Sequence, residues 1–173
     1  MPVTPKLRCP VLTPAFRVVL VEPEIPPNTG SIARTCAATS SSLHLVEPLG
    51  FRIDDRSLKR AGIDYWHLVQ VHTHPSFEAF GAAHPESRLH FLSSEAERSY
   101  LEADFQPGDA LVFGKESVGL PRELLRQHPD RVWGIPTSGG VRSLNLSNAV
   151  AIVLFEALRK QGTLAQTFVE RSE

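Results

Sequence analysis

Apolar residues in this chain come in short runs separated by polar stretches rich in glycine and proline, the pattern of buried strands opening into loops. Phe16–Val21 (FRVVLV) predicts a first buried strand. Leu43–Val46, Leu68–Val71, Leu89–Leu92, Ala110–Phe113 and Val132–Ile135 predict five more. Between them the periodicity becomes helical. Over Thr29–Ala38, residues Ile32, Ala33, Cys36 and Ala37 share one face. Arg56–Ala61 predicts a short basic helix, Ser76 can cap a helix running to Ala83, and Pro121 suits the first turn of one running to Gln127. Asn145–Lys160 predicts a last helix with a wide apolar stripe (Leu146, Ala149, Val150, Val153, Leu154, Ala157, Leu158), closed by Gly162. That stripe serves either the core or a subunit interface. Strands alternating with helices give an α/β domain with a mostly parallel sheet and helices on both faces.

Pro2, Pro5, Pro10 and Pro14 argue against regular structure near the start, so residues 1–15 are expected to form an extended tail. One domain over 16–162 and a C-terminal tail over 163–173 complete the expected organisation. The 173 residues are enough for one domain with a real core. The net charge of -1 excludes a globally basic nucleic-acid binder, so any RNA site must be a local patch. Cys9 and Cys36 make neither a metal pattern nor a disulfide framework, and Cys36 reads as a small buried apolar residue. No signal peptide and no membrane-length apolar run is present, which makes a cytoplasmic location the expectation.

Several familiar sites are excluded. The first strand is not followed by G-x-G-x-x-G, there is no G-x-S-x-G elbow, and Glu116 stands where a P-loop needs Ser or Thr. His72 and His74 have no third ligand nearby in the chain, so they are expected at the surface and no metal is expected. Three junctions remain, each following an apolar strand and loaded with Gly, Pro, Asn and Arg: Glu22–Arg34, Phe113–Pro121 and Ile135–Ala149. Their shared character suggests one composite site.

Those junctions carry a resemblance. The segments NTGSIAR (28–34), FGKESVGL (113–120) and SLNLSNA (143–149) resemble, in order and separation, the three motifs of the SPOUT-superfamily RNA ribose 2′-O-methyltransferases, and the likeness runs from about Phe16 to Gly162. The lead-in EPEIPPNTG (22–30) and LKRAGIDY (58–65) resemble the small single-domain subgroup that methylates the wobble cytidine or modified uridine of tRNA. The resemblance implies a C-terminal deep trefoil knot, a homodimer, S-adenosylmethionine as cofactor and a tRNA anticodon loop as substrate. Methylation of another tRNA position or of ribosomal RNA is the alternative, as is a non-catalytic RNA-binding module.

It also implies roles. Leu92 and Ser93 in a first loop, Gly114, Glu116 and Gly119 in a second, and Ile135, Ser143, Leu144 and Asn145 in a third would hold the cofactor, largely through backbone groups. Simple turn geometry is the other reading of Gly114 and Gly119. Arg34 would be the catalytic residue. A guanidinium stays protonated and is a poor base, so its part is to bind the adjacent phosphate and favour the 2′-oxygen as it loses its proton. Asn28, Arg142, Arg56 and Arg60 would bind the RNA. Asn28 and Asn145 could instead cap helices, Glu116 could face the sulfonium or brace its loop, and Arg56 with Arg60 could form a solvated helix face. Tyr65 and Trp66 could stack on a base or pack in the core. Phe155 falls where the family often carries tyrosine, so a mechanism that needs that hydroxyl does not fit this chain.

Overall fold

A computed structural model describes residues 4–54, 56 and 65–171. Its strands are β1 (Pro5–Arg8), β2 (Arg17–Val21), β3 (Ser42–Val46), β4 (Val71–His74), β5 (Leu89–Leu92), β6 (Ala110–Phe113), β7 (Val132–Trp133) and β8 (Phe168–Arg171). Four α-helices join them among the described residues: α1 (Pro26–Thr39), α2 (Phe77–Ala83), α3 (Arg122–Gln127) and α4 (Leu146–Lys160). Six strands make one parallel sheet in the order β4-β3-β2-β6-β5-β7.

Strand alternation divides the core into two layers. Val18, Leu20, Leu43, Leu45, Leu111 and Phe113 point to one face, where Ile32, Ala33 and Cys36 of α1 and Val150, Val153, Leu154 and Ala157 of α4 cover them. Val19, Val21, Val46, Phe91 and Val112 point to the other face, against Phe80 of α2 and the flank of α3. Burial pushes the Cys36 thiol up to about 12, so it is an inert core residue.

The sheet is pinned at the amino end of β6 by a closed polar network. Asp109 accepts from His90 Nε2 (2.8 Å), Arg88 Nη2 (3.0 Å) and the Gln106 N–H (2.8 Å). His90 Nδ1 accepts from Trp133 Nε1 at 3.1 Å, which ties β7 into the same network. Burial alone would raise the Asp109 carboxyl, but the bonds from His90, Arg88 and Gln106 outweigh it and hold the group below the usual carboxylate range.

Four expectations need correction. The expected strand Leu68–Val71 lies three residues too early: Trp66–Leu68 is a 3₁₀ turn, and β4 pairs Leu43 with Val71 and Val46 with His74. Its one buried side chain is His74, so apolarity alone did not mark it. Helix α1 starts at Pro26 rather than Thr29, because prolines in a first turn lack only N–H groups that would be unpaired anyway. Strand β7 stops at Trp133, after which Gly134 pairs instead with the segment around Ser99, donating to Arg98 O and accepting from Tyr100 N. The proline-spaced start is not free of regular structure. β1 pairs antiparallel with β8 in an exposed two-stranded ribbon, with Arg8 bound to Glu170 at 2.7 Å. Pro5 only opens that strand, so the ladder survives. Of the expected helix Arg56–Ala61, only Arg56 lies within the described residues.

Candidate active site

The chain switches direction across the sheet between β2 and β6: the strands that follow β2 build outward to β4, while β6, β5 and β7 lie on the other side. In an open parallel sheet, the crevice outside the carboxyl ends of the strands at such a point is the usual place for a ligand. Two of the three glycine-bearing junctions leave the carboxyl ends of β2 and β6 there, and the third leaves β7.

One chain of side-chain hydrogen bonds joins all three junctions. The Glu116 carboxylate, on the loop after β6, accepts from the backbone N–H of Glu24 (2.8 Å) and Ile25 (3.1 Å) and from Asn28 Nδ2 (3.2 Å). Asn28 Oδ1 then accepts from Asn145 Nδ2 at 3.1 Å. Asn145 Oδ1 caps α4 by accepting from the N–H of Ser147 (2.9 Å) and Asn148 (3.4 Å). The entry to α1 thus has no cap from the side chain of its own N-cap residue, Ile25, and a carboxylate from a distant loop binds the N–H groups of the two residues that lead into the helix. Glu116 therefore braces the loops, and Asn145 is a cap. Asn28 is not one: it is buried in the first turn of α1 with both ends of its amide engaged.

Glycine is required in the second loop by the loop itself. A Cβ on Gly114 would lie 2.1 Å from Gly119 C and 2.2 Å from Leu120 N, and Gly119 adopts φ +73°. The same loop is held by partners that sequence reasoning had not singled out. Glu24 accepts from both the N–H and the hydroxyl of Ser117 (3.0 Å each), and Lys115 pairs with Glu22 at 3.2 Å. These contacts join residues more than ninety positions apart, and no local spacing encodes them.

Leu92 is buried at the end of β5, and Ser93 is committed to loop geometry: its N–H donates to Trp133 O at 2.9 Å, and its hydroxyl accepts from Glu95 N at 3.1 Å. The third loop differs. Among the described residues, the N–H groups of Ile135, Ser143 and Leu144 have no hydrogen-bond partner, although Ile135 and Leu144 are half-buried. Backbone donors so placed need a ligand or water. They match the donor set of a cofactor held by main-chain groups.

Arg34 is exposed on α1, and its guanidinium lies over the Tyr65 ring, 4.5 Å from the centroid. Trp66 instead packs against the core. Arg34, Arg52, Arg56 and Arg142 are exposed and enter no ion pair among the described residues, whereas Arg17, Arg88 and Arg159 are each paired with a carboxylate. Arg60 lies outside the described residues. Two open surface depressions lie away from the motif loops. One, of about 680 Å³, is lined by Glu47, Leu49, Phe51, Arg52, Ile53, Asp54 and Thr73, and the other, of about 560 Å³, lies beside Lys160. Neither is walled by the three motif loops.

The family model described as the SpoU rRNA methylase family matches residues 15–155, a span that contains all three junctions. The chain belongs to the SpoU rRNA methylase family. It is 47% identical over 148 residues to the tRNA (cytidine(34)-2′-O)-methyltransferase of Saccharophagus degradans, covering 85% of this chain and 96% of that one. A solved structure concerned with the 2-OH methylation of C/U34 on tRNA superposes with a TM-score of 0.81 at 46% identity, over 86% of this chain and 97% of that one. An AdoMet-bound rRNA methyltransferase from Sinorhizobium meliloti superposes with a TM-score of 0.74 at 26% identity, over 88% of this chain and 59% of that one. The family shares the parallel sheet that brings the three junctions to one edge.

Proposed function

We propose that this protein is an S-adenosylmethionine-dependent methyltransferase that methylates the ribose 2′-hydroxyl of the wobble nucleotide, cytidine or modified uridine, in the tRNA anticodon loop. The observation that carries this reading is the Glu116–Asn28–Asn145 chain, which locks the three family motifs together and leaves the Arg34 helix at their edge. Relatives that act on cytidine 34 share nearly half of its residues over nearly their whole length.

Bound S-adenosylmethionine supplies an electrophilic methyl group. The free N–H groups of Ile135, Ser143 and Leu144 hold it, with Leu92, Ser93, Gly114, Glu116, Gly119 and Asn145 shaping the surrounding loops. Arg34 binds the phosphate beside the target ribose and stabilises charge developing on the 2′-oxygen. Tyr65 fixes the guanidinium from behind, a contact worth about 0.5–1 kcal/mol at an exposed site. Arg142 and Arg56, with Arg52, take further phosphates; Arg60, expected to act with them, lies outside the described residues. Asn28 serves the RNA indirectly, by holding the loops that receive it. Such phosphate contacts make affinity salt-sensitive.

The knot and the dimer belong to the same proposal. Strand β7 lies outside β5, yet α4 packs on α1 and β6, so residues 134–145 run back across the sheet past β5. Threading of that crossing through the preceding loop makes the trefoil knot. Val118 and Val141 on the motif loops and Ile152 and Phe155 on α4 are exposed apolar side chains, and a second protomer seated on them closes the open site. No described helix is long and apolar enough to cross a membrane, in keeping with action on tRNA in the cytoplasm.

Labelled methyl transfer to total tRNA followed by nucleoside mapping tests the reading. Label on the ribose of the wobble nucleotide is expected. Label elsewhere in tRNA, or only in ribosomal RNA, would replace the substrate assignment. Failure to bind either S-adenosylmethionine or S-adenosylhomocysteine in calorimetry would leave only a non-catalytic RNA-binding module.

A further inference from the structure

On the sheet face opposite α1 and α4, the fold gathers histidines that lie far apart in the chain. His44 points from the middle of β3, His74 ends β4, and His84 caps the C-terminus of α2. Their ligand atoms all lie within 4.8 Å of one another. The expectation that His72 and His74 are plain surface residues fails for His74, which is buried, and β3 and α2 supply the third ligand that the local sequence lacked. We propose that His44, His74 and His84 form a binding site for a late first-row divalent cation, zinc(II) in kind, that clamps α2 to the β3–β4 edge of the sheet.

The geometry favours a metal over a chance cluster. His44 Nδ1 and His74 Nε2 are 3.0 Å apart. Two nitrogens at about 2.0–2.1 Å from a tetrahedral zinc lie roughly 3.3 Å from each other, so this pair needs little movement. The widest separation, 4.8 Å, closes by rotation of the half-buried His84. His44 Nε2 sits 2.9 Å from Ser42 Oγ, which can accept a hydrogen bond from Nε2–H and so leave the Nδ1 lone pair for the cation. His84 Nδ1 faces the Glu86 carboxylate at 3.8 Å, an outer-shell partner of the kind that orients ligating imidazoles. Three neutral imidazoles with a fourth position towards solvent suit zinc, nickel or copper and not magnesium or calcium.

The surroundings keep the ligands available. Burial, then the neighbouring His72, His84 and His74 and the Arg17 guanidinium, push His44 down to about 3. Burial first, with the surrounding histidines, also lowers His74, while burial and Arg17 lower His84 against the opposing pull of Glu86. The His44 Nδ1–His74 Nε2 contact is itself a hydrogen bond in the metal-free protein, so binding of the cation displaces the proton the two rings share. The nearby positive charge of Arg17 is offset by its 2.9 Å pair with Glu86. His72 stacks on the His44 ring at 4.8 Å between centroids and walls the site.

The test uses the full chain without a histidine tag, stripped of metal by a chelator and then dialysed. Zinc(II) is expected to raise the melting midpoint by several degrees. Cobalt(II) should bind one to one with the visible absorption of a tetrahedral site. His84→Gln should weaken cobalt binding by at least ~10-fold, the scale on which even outer-shell changes act, whereas His67→Gln on the exposed 3₁₀ turn should not. X-ray absorption of the zinc-loaded wild type provides a reading that needs no variant, with imidazole nitrogens expected at about 2.0–2.1 Å. No metal uptake by the wild type, equal binding by His84→Gln, or a zinc shell without imidazole would each overturn the site.

Discussion

Two polar networks flank the same strand, β6, and they are built on opposite terms. At its amino end Asp109 is 3% exposed and meets only groups that are themselves fixed, namely His90, Arg88 and the Gln106 N–H. At its carboxyl end Glu116 is half-buried and binds the leading edge of α1 and, through Asn28, the cap of α4. The first network joins neighbouring strands, and only Arg88 at its rim reaches solvent. The second joins loops at a solvent-facing edge, beside unpaired arginines. Similar hydrogen-bonding chemistry thus gives a rivet in one place and an adjustable clasp in the other. The difference is burial, because an unmade bond is expensive only where water cannot replace the lost partner.

Substitutions can separate the two. Asp109→Ala should cost about 3–5 kcal/mol in urea unfolding, because it leaves buried His90 and the Gln106 N–H without their acceptor and takes from half-buried Arg88 the closer of its two carboxylates. Its turnover per folded molecule should stay near normal; a loss of turnover that exceeds the loss of folded protein would place the rivet in the chemistry. Arg34→Ala should do the reverse. Turnover should fall by roughly 10²–10³-fold while the unfolding midpoint and cofactor affinity hardly move, and full activity in this variant would remove Arg34 from the mechanism.

Glu116→Ala sharpens the comparison. It should destabilise by about 1–3 kcal/mol, less than Asp109→Ala, because water reaches the freed N–H groups of α1. Cofactor affinity should weaken at the same time, which calorimetry reads directly. If Glu116→Ala is the more destabilising of the two, burial does not set the difference. The histidine face gives a pH-dependent effect, negligible at neutral pH and growing towards acid. His44 titrates near 3 when folded and near 6.5 when unfolded, so the unfolded chain binds more protons in between. Stability contributed by this group is complete above the unfolded value and falls as pH drops through that window, by up to ~1.4 kcal/mol per pH unit. With a chelator present, His44→Asn should flatten that slope in urea titrations. An unchanged slope would mean that other groups govern the acid limb. Smallest of all, Phe155→Tyr should leave both turnover and stability within about twofold, since the side chain is exposed on α4. A large gain in turnover would show that a hydroxyl at this position takes part in the reaction.

Local pattern determined much of this protein. Runs such as FRVVLV and ALVF are buried strands because every second side chain feeds one core layer and the rest feed the other. The stripe along α4 and the inert burial of Cys36 follow from the same periodicity. The three glycine-bearing junctions were legible as a set, because their residue types are those that loops and caps demand. The partners of those residues were not. Nothing near Glu116 says that its carboxylate will bind the entry of a helix more than ninety positions earlier, and nothing near His74 foretells His44 and His84. Such pairings depend on strand order and on which sheet face each side chain takes, and both are set only when the whole chain packs. Strand β4 and ribbon strand β1 escaped for a related reason: their stability comes from a partner strand, whereas sequence pattern records only the residues' own polarity.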